Sequence, residues 1–209
     1  MEEHSRLLAN HVRELLDEGT LVWREMQVPY HNMAATLTDA FLQGGISYDR
    51  VVSPKIGIIR RRYSEVVTTA DFLAVLQRGD EFWAAINWRG PKKRGWIENA
   101  AKVLNGAGVQ TEEDLLEMVS ARPNELRAVP GVGPKTFNYL AALCGAKDQI
   151  AIDLQLRRFM RESGIDAGDS MGAAEMEAIY RQAASDLDVS PVVLDHTVWS
   201  YMSRSRSAK

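Results

Sequence analysis

The segment that most constrains the fold is a glycine turn between two prolines, Val129-Pro-Gly-Val-Gly-Pro134. Pro130 stops a preceding helix, because its ring fixes φ and removes a backbone donor. Gly131 and Gly133 permit positive φ and close approach of the backbone to a neighbour. Pro134 suits the first turn of the following helix, where a missing N–H costs nothing. The segment therefore predicts two helices joined by a tight turn.

The same turn predicts an anion-binding site. The start of a helix carries partial positive charge and backbone N–H groups that have no acceptor within the helix. Such an N-terminus binds a phosphate group without sequence preference. The alternative is a tight turn that only connects two packed helices. Lys135 and Thr136 follow directly, and the apolar run after them ends at Gly145, which favours phosphate binding.

Helical spacing of apolar residues recurs along the rest of the chain, and no stretch shows the strict alternation typical of a half-buried strand. Helix-start signals precede several stretches, as at Ser53-Pro54 and Thr69. Thr111 followed by Asp114 resembles a capping box. Residues 20–32 lack a helical period and predict an extended connection. The chain as a whole is therefore predicted to be all-α.

Composition indicates a globular protein. The chain has 209 residues, a net charge of −3 and no low-complexity block, so it is long enough to bury a core. No apolar run approaches the ~18 residues that a membrane helix needs, and the acidic N-terminus does not resemble a secretory signal. We expect an intracellular protein without a membrane partner. The modest negative charge argues against nonspecific coating of nucleic acid, although it allows a local basic surface.

The single cysteine, Cys144, limits what one chain can hold. It cannot form an internal disulfide, a cysteine-ligated iron–sulfur cluster or a cysteine-type zinc site. Its position on an apolar helix face predicts a buried thiol. The four histidines are dispersed and show no metal-ligand spacing.

The glycine turn, taken with Asp153 placed 18 positions after Lys135, resembles the helix-hairpin-helix (HhH-GPD) DNA glycosylase superfamily, and the endonuclease III family in particular. The order of helices between residues 33 and 163 also follows that family, over about two thirds of the chain. The hairpin alone also occurs in ligases, polymerases and repair scaffolds, so the spaced lysine and aspartate carry the specificity. The matching residues are Leu126, Pro130 to Gly133, Lys135, Thr136, Gly145, Ala151 to Asp153 and Arg157.

The resemblance implies two helical subdomains. Residues 30–145 would form a six-helix, barrel-like subdomain that ends in the hairpin, and residues 1–29 with 146–209 would form the second. Lys135 and Asp153 would face each other across a cleft. The resemblance also implies a monovalent cation, K⁺ or Na⁺, that bridges the hairpin to a DNA phosphate. Its ligands would be the backbone carbonyls of Arg127, Val129 and Val132.

The reaction that the resemblance implies is removal of a damaged base from DNA. The base first leaves the stack, and this unstacking and unpairing cost roughly a few kcal/mol. Cleavage of the glycosidic bond builds positive charge on the sugar, which the carboxylate of Asp153 would stabilise. A neutral Lys135 amine would attack C1′ and form a Schiff base, whose β-elimination nicks the strand. The alternatives are a plain phosphate contact for Lys135 and a structural N-cap for Asp153.

Three functions remain open from the sequence. The first is a DNA glycosylase with abasic-site lyase activity, which needs no redox cofactor and acts on oxidised bases as most lyase-competent relatives do. The second is a glycosylase without lyase activity, and the third is a nonenzymatic DNA-binding protein. Two features depart from the family: Gln155 stands where a histidine is frequent, and Cys144 cannot supply an iron–sulfur cluster. The chain thus resembles a cluster-free branch.

Further residues are expected to contact damaged double-stranded DNA, bound by a monomer. Gln43, before Gly44-Gly45, would fill the gap left by the flipped base or serve as an ordinary C-cap. The basic run Lys92-Lys93-Arg94 favours phosphate contacts. Three aromatic side chains could stack on a base: Trp88, Trp96 and Tyr48. We expect them mainly in the core. Asp195-His196 would line the cleft, or would serve as a cap and a satisfied core histidine. The expected DNA contacts at the hairpin and beyond are Gly131, Val132, Gly133, Thr136 and Arg157.

Overall fold

The structure is a computed structural model that describes residues 1–168 and 171–205. Every regular element in this part of the chain is helical, which confirms the all-α prediction. No helix among these residues is long and apolar enough to cross a membrane. The elements are α1 (Glu2–Asp17), α2 (Met33–Leu42), a π-helical turn (Tyr48–Val52), α3 (Ser53–Arg62), α4 (Thr69–Leu76), α5 (Glu81–Ala85), α6 (Pro91–Gly106), α7 (Glu112–Ala121), α8 (Pro123–Arg127), α9 (Pro134–Leu143), α10 (Leu154–Glu162), α11 (Ala173–Asp186) and α12 (Pro191–Ser205).

The chain divides into two compact units. The terminal unit combines Met1–Met26 with Ala146–Lys209, and the central unit is Gln27–Gly145. The sequence put these limits after residues 29 and 145. The hairpin and Lys135 belong to the central unit, and Asp153 belongs to the terminal unit.

Helix α2 is the innermost element of the central unit. All ten of its residues are buried, and α3, α4, α6 and α9 pack against it. A helix that is largely apolar on every side is expected to be buried in this way. Its N-cap, Asn32, accepts the N–H of Ala35 and donates its side-chain amide to the carbonyl of Tyr63. Burial of the whole helix also places its acidic residue, Asp39, in the interior.

The described residues of the terminal unit form a packed group of four helices. α1 packs on α11, and α12 packs on both α10 and α11. Leu8, Phe159 and Tyr180 are fully buried in their shared apolar cluster. The hydroxyl of Tyr180 donates to the carbonyl of Leu156 at 2.9 Å, so the phenol is satisfied inside this core.

The helix caps agree with the sequence prediction at Thr111 and differ from it at Thr69 and Ser53. Thr111 and Asp114 form a capping box, as predicted. The cap of α4 is Thr68 rather than Thr69, and it forms a capping box of its own. The prediction of a cap at Ser53 is wrong, because the π-helical turn already carries the chain into α3 before that residue.

Candidate functional site

The glycine turn joins α8 to α9, and Gly131 is its most constrained position. Its φ is +92°, and a Cβ there would lie 2.8 Å from Trp96 Cδ2 and 3.0 Å from Phe41 Cε1. Both the backbone angle and the lack of space therefore require glycine. The N–H of Val132 donates to the carbonyl of Val129 at 3.0 Å and closes the turn. Trp96 is thus part of the packing that holds the hairpin.

Gly133 has a different role. It is the N-cap of α9 with φ −82° and ψ 179°, which is extended backbone that any residue adopts. Positive φ, which the sequence allowed at both glycines, is therefore found at Gly131 and not at Gly133. A Cβ at Gly133 would meet nothing within 4 Å, and the residue is exposed. The backbone at the start of α9 is thus open to a ligand.

The other hairpin residues contribute in different ways. The side chain of Val132 is buried, so only its backbone is available to a partner. Thr136 is half-buried in the first turn of α9. The guanidinium of Arg127 lies 4.1 Å from the centre of the Phe137 ring, which ties the end of α8 to α9. The hairpin is therefore held by packing on its inner side, while the start of α9 is exposed.

Lys135 is the second residue of α9 and is half-buried. Burial, and then the positive charge of Lys135, lower the pKa of Lys93, so the two amines lie close enough to repel each other. Lys93 Nζ donates to the carbonyls of Leu42 at 2.5 Å and Gly44 at 2.6 Å. Lys93 thus binds the C-terminal end of α2, and this end lies beside Lys135.

The rest of the basic run is also engaged within the central unit. Lys92 Nζ lies 5.0 Å from the centre of the Trp96 ring. Arg94 pairs with Asp80 at 2.5 Å and with Glu98 at 2.8 Å. The charged groups of the run have protein partners within this unit, and the expected phosphate contacts stay a prediction.

Gln43 is the C-cap of α2, with φ −62° and ψ −26°. This agrees with the C-cap alternative, although the two roles do not exclude each other. Its Nε2 is shielded from solvent and has no hydrogen-bond partner among the described residues. A buried amide donor without a partner costs about 1–3 kcal/mol. Gln43 therefore stays a candidate for contact with a ligand.

Asp153 is the N-cap of α10. Its Oδ1 accepts the N–H of Gln155 at 2.8 Å and of Leu156 at 3.2 Å. The structural alternative for this residue is thus realised, and it fixes the orientation of a half-buried carboxylate. Asp195 of α12 accepts the N–H of Ala151 at 2.6 Å. That bond ties the segment leading to Asp153 to the last helix.

Arg157 is also engaged within the terminal unit. Its Nη1 lies 3.4 Å from the carbonyls of Gly168 and Met171. The side chain therefore links α10 to the chain before α11, and the DNA contact expected for Arg157 stays a prediction.

A cluster around Asp39 was not found from the sequence. Tyr30 and Tyr48 donate to Asp39 Oδ2 at 2.8 and 3.1 Å, and Tyr139 donates to Oδ1 at 3.4 Å. Burial raises the pKa of Asp39 to about 6, against the opposing effect of these hydrogen bonds. Burial, and then the charge of Asp39, raise the pKa of all three tyrosines. An aspartate within the apolar run Met33–Leu42 was the available signal, since a buried acid needs polar partners.

The described side chains offer neither a cluster of metal ligands nor an exposed thiol. Among the described residues, no group of three or more His, Cys, Asp or Glu side chains is arranged to hold a metal ion. The monovalent cation expected at the hairpin would use backbone carbonyls, and it stays a prediction. Cys144 is buried, as predicted, and burial raises the pKa of its thiol.

The fold and the hairpin define an all-helical protein of two units with a glycine turn before a lysine-bearing helix. The chain belongs to the family described as a domain of unknown function, DUF8548, whose family model matches residues 8–203. Searches of curated proteins and of solved structures find no match. The description of this family gives no activity, so a proposal about function must be argued from the residues of the site.

Proposed function

We propose that this protein is a DNA glycosylase with abasic-site lyase activity, which removes a damaged base from duplex DNA. The expected class of lesion is an oxidised base. The observation that carries the proposal is the position of Lys135 on the first turn of α9, directly after a hairpin whose Gly133 backbone is open. A phosphate bound at the start of this helix would bring a nucleotide close to the amine.

The proposed reaction begins with attack by neutral Lys135 Nζ on C1′ of the damaged nucleotide. The bond from C1′ to the base breaks, and its electron pair leaves with the base. Loss of a proton from the attached nitrogen and opening of the sugar give a Schiff base. Abstraction of a proton from C2′ then expels the 3′ phosphate by β-elimination. No redox cofactor takes part in these steps.

The proposed role of Asp153 is electrostatic. Positive charge develops on the sugar as the base leaves, and a fixed carboxylate stabilises it without reorganisation. The two N–H groups that bind Oδ1 hold the carboxylate in one orientation. Its role as an N-cap is therefore compatible with the proposed role.

The proposed partner is damaged double-stranded DNA, bound by a monomer inside the cell. The backbone from Gly131 to Gly133, with Thr136, would contact a phosphate. A K⁺ or Na⁺ ion would bind the carbonyls of Arg127, Val129 and Val132. The carbonyl of Val129 already accepts one hydrogen bond in the turn, and its second lone pair is available to a cation.

Borohydride trapping on a duplex that contains one abasic site tests the proposal. The wild-type protein is expected to form a covalent adduct with the DNA, since borohydride reduces the Schiff base. Lys135→Ala should abolish the adduct. Lys102→Ala is the matched control, because Lys102 is an exposed lysine on α6 in the same unit, and it should trap as the wild type does.

Two other outcomes identify the alternatives. Release of a damaged base without any adduct, lost in Asp153→Asn, would identify a glycosylase without lyase activity. Binding of duplex DNA without base release or nicking, over a panel of oxidised, deaminated and mismatched bases, would identify a nonenzymatic DNA-binding protein.

A further inference from the structure

The proposed chemistry leaves Asp39, a buried carboxyl group of the central unit, without a role. Asp39 is fully buried, and the partners of its carboxyl group are the hydroxyls of Tyr30, Tyr48 and Tyr139. A buried carboxylate is costly unless it is hydrogen-bonded, and a cation is the usual partner. Three phenols instead stabilise the carboxylate while burial favours the protonated acid, and this balance suits a group that gains and loses a proton.

The phenols connect the carboxyl group to the outside of the unit. Each of the three tyrosines is half-buried, whereas Asp39 is 0% exposed. Tyr48 also hydrogen-bonds to the hydroxyls of Tyr30 and Tyr139. The four groups therefore form one network, through which a proton on Asp39 can pass to the surface of the unit.

The charged groups around α2 are engaged elsewhere. Lys93 of α6 binds the carbonyls at the C-terminal end of α2, and Arg60 of α3 lies over the ring of Tyr30 at 5.1 Å. Glu112 binds Asn32 and Thr36 at the N-terminal end, and Asp71 of α4 caps its own helix. On α9, Lys135 stands one helical turn before Tyr139. The pKa of Asp39 is thus governed by burial and by its tyrosines.

The position of the network relates it to the proposed nucleophile. Residues four apart on a helix lie on the same face, so Lys135 and Tyr139 share one face of α9. Gln43 follows Asp39 by the same spacing on α2, next to the carbonyls that Lys93 binds. Asp39 is thus bonded to a tyrosine that stands one helical turn after the proposed nucleophile on α9.

We infer that Asp39 and Tyr48 form a proton relay to the departing base, with Tyr30 and Tyr139 as positioning residues. This inference rests on the proposed glycosylase function. As the bond from C1′ to the base breaks, its electron pair moves to the base. Tyr48 gives its hydroxyl proton to the base, and protonated Asp39 replaces that proton on Tyr48. Asp39 is left as a carboxylate that accepts three phenol hydrogen bonds, and a solvent proton later restores the acid.

The test separates base release from the lyase step. Duplexes carrying one 8-oxoguanine or one thymine glycol measure base release, and a duplex with a preformed abasic site measures borohydride trapping. The abasic site has no base to protonate. Asp39→Asn should therefore slow base release by on the order of 100-fold, while trapping changes by less than about threefold.

The dependence on pH gives a readout that a structural role would not move. The relay needs protonated Asp39, whose pKa is about 6. The ratio of wild-type to Asp39→Asn base release should therefore fall as pH rises through about 6. Contributions from groups that are common to both proteins cancel in this ratio. A ratio that does not change with pH would overturn the relay.

Two further variants keep the test decisive. Glu112→Gln removes another buried carboxyl group of the central unit, and it should leave base release unchanged if it folds. Tyr48→Phe keeps the ring while removing the relay hydroxyl, so it tests the inference even if Asp39→Asn does not fold. Wild-type rates of base release in both Asp39→Asn and Tyr48→Phe, or equal losses of base release and trapping, would overturn the relay alone. A wild-type protein that neither traps nor releases a base would overturn the proposed function with it.

Discussion

Gly131 and Gly133 stand two positions apart in one turn, but only the first depends on glycine for its conformation. Gly131 has a positive φ and contacts Trp96, whereas Gly133 is extended with open space around it. The pattern of two glycines showed that a turn was present. It did not show which glycine met a neighbour, because Trp96 lies 35 positions earlier in the chain.

Substitution of each glycine by alanine separates these roles. Gly131→Ala should lower the free energy of unfolding by at least about 2 kcal/mol, since the new Cβ is both strained and overpacked. Gly133→Ala should cost about 1 kcal/mol or less, because alanine is only a poorer N-cap than glycine. Urea unfolding of the two variants measures the difference. Equal losses would contradict the assignment.

At the scale of elements, the sequence predicted features made by neighbouring residues but not the partners of residues far apart in the chain. The capping box at Thr111 was predictable because its two residues are three positions apart. The role of Lys93 was not, since its carbonyl acceptors at Leu42 and Gly44 lie about 50 positions away. The basic run suggested phosphate contacts, which stay a prediction, and it gave no sign of the bonds from Lys93 to the end of α2.

Lys93→Met tests that link between α6 and α2. Loss of two hydrogen bonds from a charged donor to the C-terminal carbonyls of α2 should lower the free energy of unfolding by about 1–2 kcal/mol. Lys102→Met is the control, because Lys102 is exposed on the same helix, and its effect should stay within about 0.5 kcal/mol. Chemical denaturation measures both. A Lys93 variant as stable as the control would show that the two bonds contribute little.

At the scale of the whole molecule, the sequence predicted an all-α chain because helical periodicity is a local pattern, and the division into two units was implied by the resemblance to a family. The hydrogen-bonded network around Asp39 joins residues 30, 39, 48 and 139, and no local pattern connects them. Tyr48 was expected mainly in the core, with stacking on a base as the alternative, and it is a half-buried polar partner of a buried acid. The lysine and aspartate were identified because a family pattern joins them, and their catalytic roles stay predictions.

The network should also give the folding equilibrium a characteristic dependence on pH. Burial raises the pKa of Asp39 from 3.8 to about 6 in the folded protein. Between these values the folded state holds a proton that the unfolded state does not, so this group makes folding more favourable as pH falls. The gain from pH 7 to about pH 4 should be on the order of 3 kcal/mol. Other carboxyl groups oppose it: hydrogen bonds lower the pKa of Asp71 and Asp114, whose stabilisation is lost as pH falls.

The difference in stability between the wild type and Asp39→Asn isolates this contribution, because the other carboxyl groups are common to both. Urea unfolding from pH 7 to about pH 4 should show the wild type gaining relative to the variant as pH falls through 6. Tyr48→Phe should steepen the gain, because the hydrogen bond from Tyr48 lowers the pKa of Asp39 and its loss raises that pKa further. A difference that stays constant with pH would show that Asp39 does not titrate in this range. This measurement requires no DNA, so it tests the buried acid independently of the proposed activity.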